Sequence, residues 1–295
     1  MTEGLLEHLS VCYRRGFAWL MDSRNKDGVW GTRKGFPSDV LSTWHAVAIL
    51  SKKEDFRRLA NEVYSWLIKY RNPDGGWAAF AEQPSRLYPT CSALASLSRI
   101  REVIQPTGIH EATEESVGFI FKFRNVDGSF SFLEGDAGSL HATKHAVMAL
   151  KLALATDSTV QQSVQWILSK RDANGSWGDV HLTCDMLSSL TSIASRKERE
   201  ASVATSIQWV KGQQYSDGSW RLVDTVGCTG PAIFALLRSG VFYTDLCIQK
   251  AMGYVLRTQK QDGGWAHSEK SIMGTTNPTG WMVSVLDLIL SAAYK

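Results

Sequence analysis

One short tag, repeated six times, constrains this chain more than any other feature. It reads Asp27-Gly28-Val29-Trp30, Asp74-Gly75-Gly76-Trp77, Asp127-Gly128-Ser129-Phe130, Asn174-Gly175-Ser176-Trp177, Asp217-Gly218-Ser219-Trp220 and Asp262-Gly263-Gly264-Trp265. Successive tag aromatics lie 47, 53, 47, 43 and 45 residues apart. A second aromatic stands eleven residues before each one: Trp19, Trp66, Phe119, Trp166, Trp209 and Tyr254. Aromatics make up 10% of the chain, so six matches in six tags are not an accident of composition. A repeat of this period marks one supersecondary unit used several times.

Each unit reads the same way. A helical stretch leads in, as in Gln165-Trp166-Ile167-Leu168-Ser169-Lys170, with apolar residues at helical spacing. The Asp/Asn-Gly pair then stops it, because glycine supplies a left-handed backbone and Asp or Asn tolerates a turn. A polar loop and a second, more apolar helix follow. These second helices are predicted at Val40–Leu50, Thr90–Ile100, Ala142–Ala155, Leu182–Ala194, Pro231–Leu237 and Gly280–Ala292. A threonine marks their starts. Thr43, Thr90 and Thr143 lie 13 residues after their tag aromatics, Thr279 lies 14 after, and Thr183 only 6 after. Segments such as Ala146-Val147-Met148-Ala149-Leu150 are apolar on most faces and predict burial all round. Six amphipathic helices around six apolar ones predict an all-α, α6/α6 double-layered toroid. With no strand signal and no capping repeat, closure buries both end repeats. A single domain over residues 1–295 is expected.

Composition excludes several classes. Lys and Arg total 32 against 29 Asp and Glu, so the formal net charge of +3 gives no bulk electrostatic case for nucleic acid. At 44% hydrophobic and 21% charged the chain is not a disordered one. Five cysteines, Cys12, Cys91, Cys184, Cys228 and Cys247, are odd in number and widely spaced, which predicts reduced thiols rather than a disulfide frame. Met1 to Ser10 shows no leader pattern, and no run of about 18 apolar residues occurs. A cytoplasmic protein with peripheral membrane contact, as monomer or homodimer, is expected.

The tags, with Gln213 or Gln214 and Gln261 nearby, resemble the QW repeats of squalene–hopene cyclases and related class II terpene cyclases. The last repeat is most similar, with Gln261-Asp262-Gly263-Gly264-Trp265 followed by Asn277-Pro278-Thr279-Gly280-Trp281. Protein prenyltransferase β subunits share such tags and the toroid. The resemblance implies an apolar isoprenoid or polyene substrate, held near the N-termini of the inner helices. Six helix N-termini would present unpaired N–H groups and positive dipole ends there.

Class II cyclases protonate an alkene or epoxide with a D-x-D-D-T-A motif. Aligned on the threonine, repeat one reads Asp39-Val40-Leu41-Ser42-Thr43 and repeat four reads Asp179-Val180-His181-Leu182-Thr183. Each keeps the first aspartate, and neither keeps the acid pair. The proton-donor position falls on His181, with Asp185 one turn later. Asp179, His181, Asp185 and Asp39 are therefore the candidate acid–base residues, although Asp at such positions also caps helices. Trp44, Tyr88, His141, Cys184, Cys228 and Trp281 are candidates for substrate contact, or for filling the core. His141 and His145 share a helix face and could chelate a metal, but paired core histidines are commoner than ligands. Asp136 could orient His141 or cap its helix. No metal and no cofactor are expected. A zinc-dependent prenyl-transfer site from Cys184, Cys228, Asp224 and a His is the first alternative. A non-catalytic toroid that carries a hydrophobic ligand or binds a protein partner is the second.

Overall fold

The structure, a computed structural model, describes residues 2–54, 56–153, 157–194, 196–222 and 227–294. Its regular elements are α1 (Glu3–Asp22), α2 (Val40–Leu50), α3 (Phe56–Lys69), α4 (Leu87–Arg101), α5 (Ile109–Phe121), α6 (Leu140–Leu152), α7 (Asp157–Ser169), α8 (Val180–Ile193), α9 (Arg196–Gly212), α10 (Thr229–Arg238), α11 (Leu246–Thr258) and α12 (Thr276–Ala293). No strand occurs among the described residues, which hold isolated bridges such as Gly31 with Ser38 and Arg124 with Phe130.

The helices pack into two compact units, Arg24–Lys170 and Met1–Ser23 with Arg171–Lys295. In the first, α2, α4 and α6 form a row, with α3 against α2 and α4, α5 against α4, and α7 against α6. In the second, α8, α10 and α12 form the row. There α9 packs on α8 and α10, α11 packs on α10, and α1 lies against α12 and α11. Each unit thus holds three helix pairs, the row being the inner member of each pair. The outer helices are amphipathic. In α3, Phe56, Leu59, Ala60, Val63, Trp66 and Leu67 are buried at the 3–4 spacing of one helix face.

The tag glycines carry the turn that the sequence predicts. Gly28, Gly75, Gly128, Gly175, Gly218 and Gly263 all have φ between +83° and +94°. They have a second duty that the sequence does not display, which is to let the next outer helix approach. A Cβ on Gly218 would run into the Lys250 carbonyl oxygen. In five tags the Asp or Asn side chain accepts the N–H two residues on, at 2.9–3.0 Å. The tag indole then folds back on its own outer helix, where Trp77, Trp220 and Trp265 donate Nε1–H to the carbonyls of Leu67, Val210 and Val255. The aromatic eleven residues earlier stitches neighbours together. Trp66 and Trp166 donate to Asp27 and Asp127 of the preceding tags.

The six threonines form one clamp. The N–H of each tag aromatic donates to Oγ1 of Thr43, Thr90, Thr143, Thr183, Thr229 or Thr279 at 2.9–3.3 Å. An unpaired buried amide would cost about 1–3 kcal/mol, so the threonine fixes where each inner helix starts relative to its tag. This corrects several predicted starts. Thr90, Thr143, Thr183 and Thr279 lie in the first turn rather than at the first residue, so α4, α6, α8 and α12 begin two to four residues early. The helix predicted to begin at Pro231 starts at Thr229, and the predicted end at Ala155 lies outside the described residues. Burial all round holds for α4, where every residue from Pro89 to Ser98 is buried. It does not hold for α2 and α6. Leu41, Trp44, His45 and Ala48 form a half-exposed stripe on α2, and His141, Lys144, His145 and Met148 form the matching one on α6.

One seam joins distant parts of the second unit. Arg15 donates to the Lys260 and Gln261 carbonyls, and Trp19 Nε1–H to Asp262 Oδ2 at 2.9 Å. Gln259 donates to the Cys12 carbonyl. The helix α1 therefore completes the last repeat.

Candidate active site

The short loop of repeat four sets the first site. Asp179 is the N-cap of α8, and its Oδ1 accepts the Leu182 N–H at 2.8 Å. His181 is the second residue of the helix and Asp185 follows one turn later, so both lie on one face. His181 Nε2 stands 3.9 Å from Asp185 Oδ2, with side-chain exposures of 39% and 4%. That separation exceeds a hydrogen bond, so the contact is one between charges once the imidazole is protonated. The helix therefore offers an exposed imidazole backed by a buried carboxylate.

A second imidazole completes this cluster, and sequence reasoning misses it. His267 lies in a loop two residues after the tag aromatic Trp265. Its ring rests on Gly227, where a Cβ would come within 2.6 Å of Nδ1. The ring is partly exposed, yet the protein around it removes enough water to lower its pKa below the usual histidine value, and the nearby His181 charge lowers it further. No periodic pattern marks a loop residue of this kind, and only the tertiary fold brings it to His181. The expected result is acid sensitivity. The folded chain binds fewer protons here than the unfolded one, so stability is lost as pH falls below about 6.5 through the folded pKa. His267→Gln should flatten the acid-side slope of the urea-unfolding free energy between about pH 7 and 5, the range in which histidine titrates. An unchanged slope would show that His267 does not titrate with folding.

Cys184 and Cys228 are buried beside the same cluster. Burial, the neighbouring Cys228 and the Asp185 and Asp179 carboxylates raise the Cys184 thiol well above its usual value. Cys228 is pushed up to about 12 by burial and by the same two aspartates. Without a metal ion both thiols are held protonated. Asp224 of the zinc alternative lies outside the described residues. Among the described residues, no group of three or more His, Cys, Asp and Glu is placed to hold a metal ion. All five cysteines are free and buried.

On the adjoining inner helices, Trp281 is half-exposed and meets Phe234 edge to face at 5.3 Å between centroids. Gly230 permits this close approach, since a Cβ there would lie 2.6 Å from Trp281 Cβ. A cleft of about 450 Å³ in the same unit runs along Asp217, Tyr254, Arg257, Lys260 and Glu269, and Tyr254, Lys260 and Glu269 also border the narrow pocket beside Gly227, Gly230 and Trp281. Its charges pair among themselves: Arg221 bridges Asp217 and Glu269, and the Tyr254 hydroxyl donates to Glu269.

The other sequence candidates fall in the Arg24–Lys170 unit. Asp39 caps α2, with one carboxylate oxygen accepting the Ser42 N–H and the other the Ser42 hydroxyl, each at 2.7 Å. Burial raises its pKa against these hydrogen bonds. Trp44 lies on the half-exposed stripe of α2. Tyr88 lies tilted against His145 at 4.1 Å between centroids and meets His141 edge-on at 6.0 Å. Ser139, not Asp136, caps the helix that carries these histidines.

Residues 40–185 match the family model for the prenyltransferase α–α toroid domain, and residues 179–281 match that for the squalene–hopene cyclase C-terminal domain. A variant of the type II terpene cyclase MstE from Scytonema, solved with its substrate geranylgeranyl dihydroxybenzoate, superposes with a TM-score of 0.77. It is 13% identical, and the match covers 100% of this chain and 99% of that one. The fold is that of the type II terpene cyclases. A protein from Actinoplanes shares the toroid at a TM-score of 0.68 and 18% identity, over 97% of this chain and 99% of that one. The ent-copalyl diphosphate synthase from Streptomyces platensis matches at a TM-score of 0.60 and 19% identity, over 86% of this chain and 50% of that one. No curated protein matches the sequence. The α6/α6 toroid predicted from the tags is thus borne out, as is the resemblance to the cyclase and prenyltransferase repeats.

Proposed function

We propose that this chain is a terpene cyclase-like enzyme that cyclises or rearranges an isoprenoid or other apolar polyene by acid. The observation that carries the reading is the His181–Asp185 pair at the start of an inner helix in a cyclase toroid. Asp185 stabilises the imidazolium of His181, which donates its Nε2 proton to the substrate. The pair suits an activated acceptor, such as an epoxide, enol ether or conjugated polyene. An imidazolium is a far weaker acid than a carboxylic acid, and an isolated alkene is too weak a base for it. Protonation of the double bond or opening of the epoxide leaves a carbocation, which the π faces of Trp281 and Phe234 favour. Ring closure moves the cation along the chain, and proton loss to the neutral imidazole ends the sequence. Proton gain and loss balance, so product and substrate are isomers. Asp39, buried and already a cap, is the acid to consider next.

The zinc prenyl-transfer reading has no cluster of three or more ligating side chains behind it among the described residues. The carrier reading predicts ligand binding without turnover. Incubation with polyprenyl epoxides and polyenes in deuterium oxide separates these. A cyclic product with the same number of carbons as the substrate should appear, carrying one carbon-bound deuteron when the substrate is a polyene and a new hydroxyl group when it is an epoxide. Recovery of unchanged substrate from the whole panel would favour a carrier.

The Arg24–Lys170 unit supports a contact with a lipid surface. Phe36, Phe80, Phe132 and Leu133 stand 44–57% exposed in the loops that lead into α2, α4 and α6. No described helix is long and apolar enough to cross a membrane. Docking by such residues is hydrophobic and depends little on salt. Sedimentation with neutral phosphatidylcholine vesicles should therefore persist at about 0.5–1 M salt, where exposed charges are screened within roughly 3–5 Å. Binding confined to anionic vesicles and reversed by salt would refute it.

A further inference from the structure

We propose that His141 and His145 form a two-imidazole site for a divalent transition-metal ion of the copper, nickel and zinc group. The two side chains leave α6 one turn apart on its half-exposed stripe. Their Nε2 atoms converge to 3.2 Å. An ion at a metal–nitrogen distance of about 2.0–2.1 Å from each would subtend an angle of roughly 100°. That lies between the right angle of square-planar or octahedral sites and the tetrahedral angle, so the separation suits one ion held by both nitrogens once the rings turn to aim at it.

The rings are held in this attitude from several sides. Tyr88 of α4 lies over His145 with centroids 4.1 Å apart, and His141 meets His145 edge-on at 4.6 Å. Phe132 flanks His141 at 6.1 Å. Thr143, between the two histidines, is tied to the Phe130 N–H at 2.9 Å, which pins this turn of α6 to the third tag. Such packing reduces the ordering that a metal must impose on its ligands. Without metal, one Nε2–H points at the other Nε2. When the donor ring carries its proton on Nδ1 and the rings turn, both Nε2 lone pairs are available to the ion. Among the described residues no third His, Cys, Asp or Glu joins the pair. Water or an external donor completes the coordination, so the ion is exchangeable. Imidazole ligands and the usual order of divalent affinities place copper first, with nickel and zinc behind.

The site shares no residue with the acid at His181 and does not rest on the cyclase reading. The test is calorimetric titration of tag-free, chelator-stripped protein with Cu2+, Ni2+ and Zn2+, together with electron paramagnetic resonance of the copper-loaded protein. We expect one ion per chain and hyperfine coupling to two nitrogens. His141→Ala and His145→Ala should each weaken binding about tenfold or more, a loss of about 1.4 kcal/mol. His110→Ala should leave it unchanged. His145→Gln keeps a good helix former, so its loss of binding supports the site even if the alanine variants melt early. Binding that survives both alanine variants, or a wild-type chain that takes up no ion, would overturn the proposal.

Discussion

His181→Ala will lose most of the turnover on an activated polyene, by about 10²–10⁴-fold, while folding like the wild type. That range is what a positioned general acid contributes. The side chain is exposed and occupies the first turn of α8, so its removal leaves no buried cavity. Asp185→Asn keeps the volume and removes the charge that steadies the imidazolium. It should lower the rate while the variant folds like the wild type. Asp179→Asn separates capping from chemistry, because Asn caps as well as Asp. Its melting temperature should match the wild type, and a fall in turnover would then assign Asp179 to the acid cluster. If His181→Ala keeps wild-type turnover on a confirmed substrate, the acid lies elsewhere, and Asp39 is the residue to replace.

Trp265→Ala will destabilise the fold by about 3–5 kcal/mol, the usual range for a large buried aromatic. Trp265 is 1% exposed and donates its indole N–H to the Val255 carbonyl. Its ring also fills the space beside Gly16 of α1, where a Cβ would come within 2.6 Å of it. The substitution therefore leaves a cavity at the seam and removes the indole hydrogen bond to the Val255 carbonyl. A domain has only about 5–15 kcal/mol in total, so the urea midpoint should fall steeply. Trp77→Ala should do the same in the Arg24–Lys170 unit. Wild-type midpoints in both would refute a structural role for the tags.

Architecture is legible in this sequence because each tag imposes a local physical demand. The left-handed glycine, the side-chain turn of Asp or Asn and the returning indole all act within a dozen residues, and sequence displays such demands. Helix starts are less legible. The threonine that marks them is anchored through its hydroxyl to the tag aromatic, so it sits inside the first turn. The half-exposed stripes on α2 and α6 are hidden in the sequence because Ala, Val and Leu outnumber the few polar residues that face outward, such as His45 and Lys144. Asp39 and Asp179 read equally as acids and as caps, and the structure shows the caps. His267 carries no signal at all. Its position beside His181 depends on Gly227 and on a loop that only the folded unit brings near.

The seam between α1 and the last repeat has a consequence for how the chain is made. Arg15 and Trp19 find their partners 243 to 246 residues later in sequence. At about 5–20 residues per second, roughly 12–50 s of translation separate the two. Throughout that interval Leu9, Trp19 and Leu20, all buried in the finished protein, lack the surface that covers them. A nascent chain therefore carries an amphipathic helix whose apolar face is covered only when the repeat around Asp262 is made. Closing so long a loop is entropically expensive to begin and adds little further cost with length. A stalled ribosome or an early stop codon before Asp262 would leave that helix exposed to chaperones and proteases.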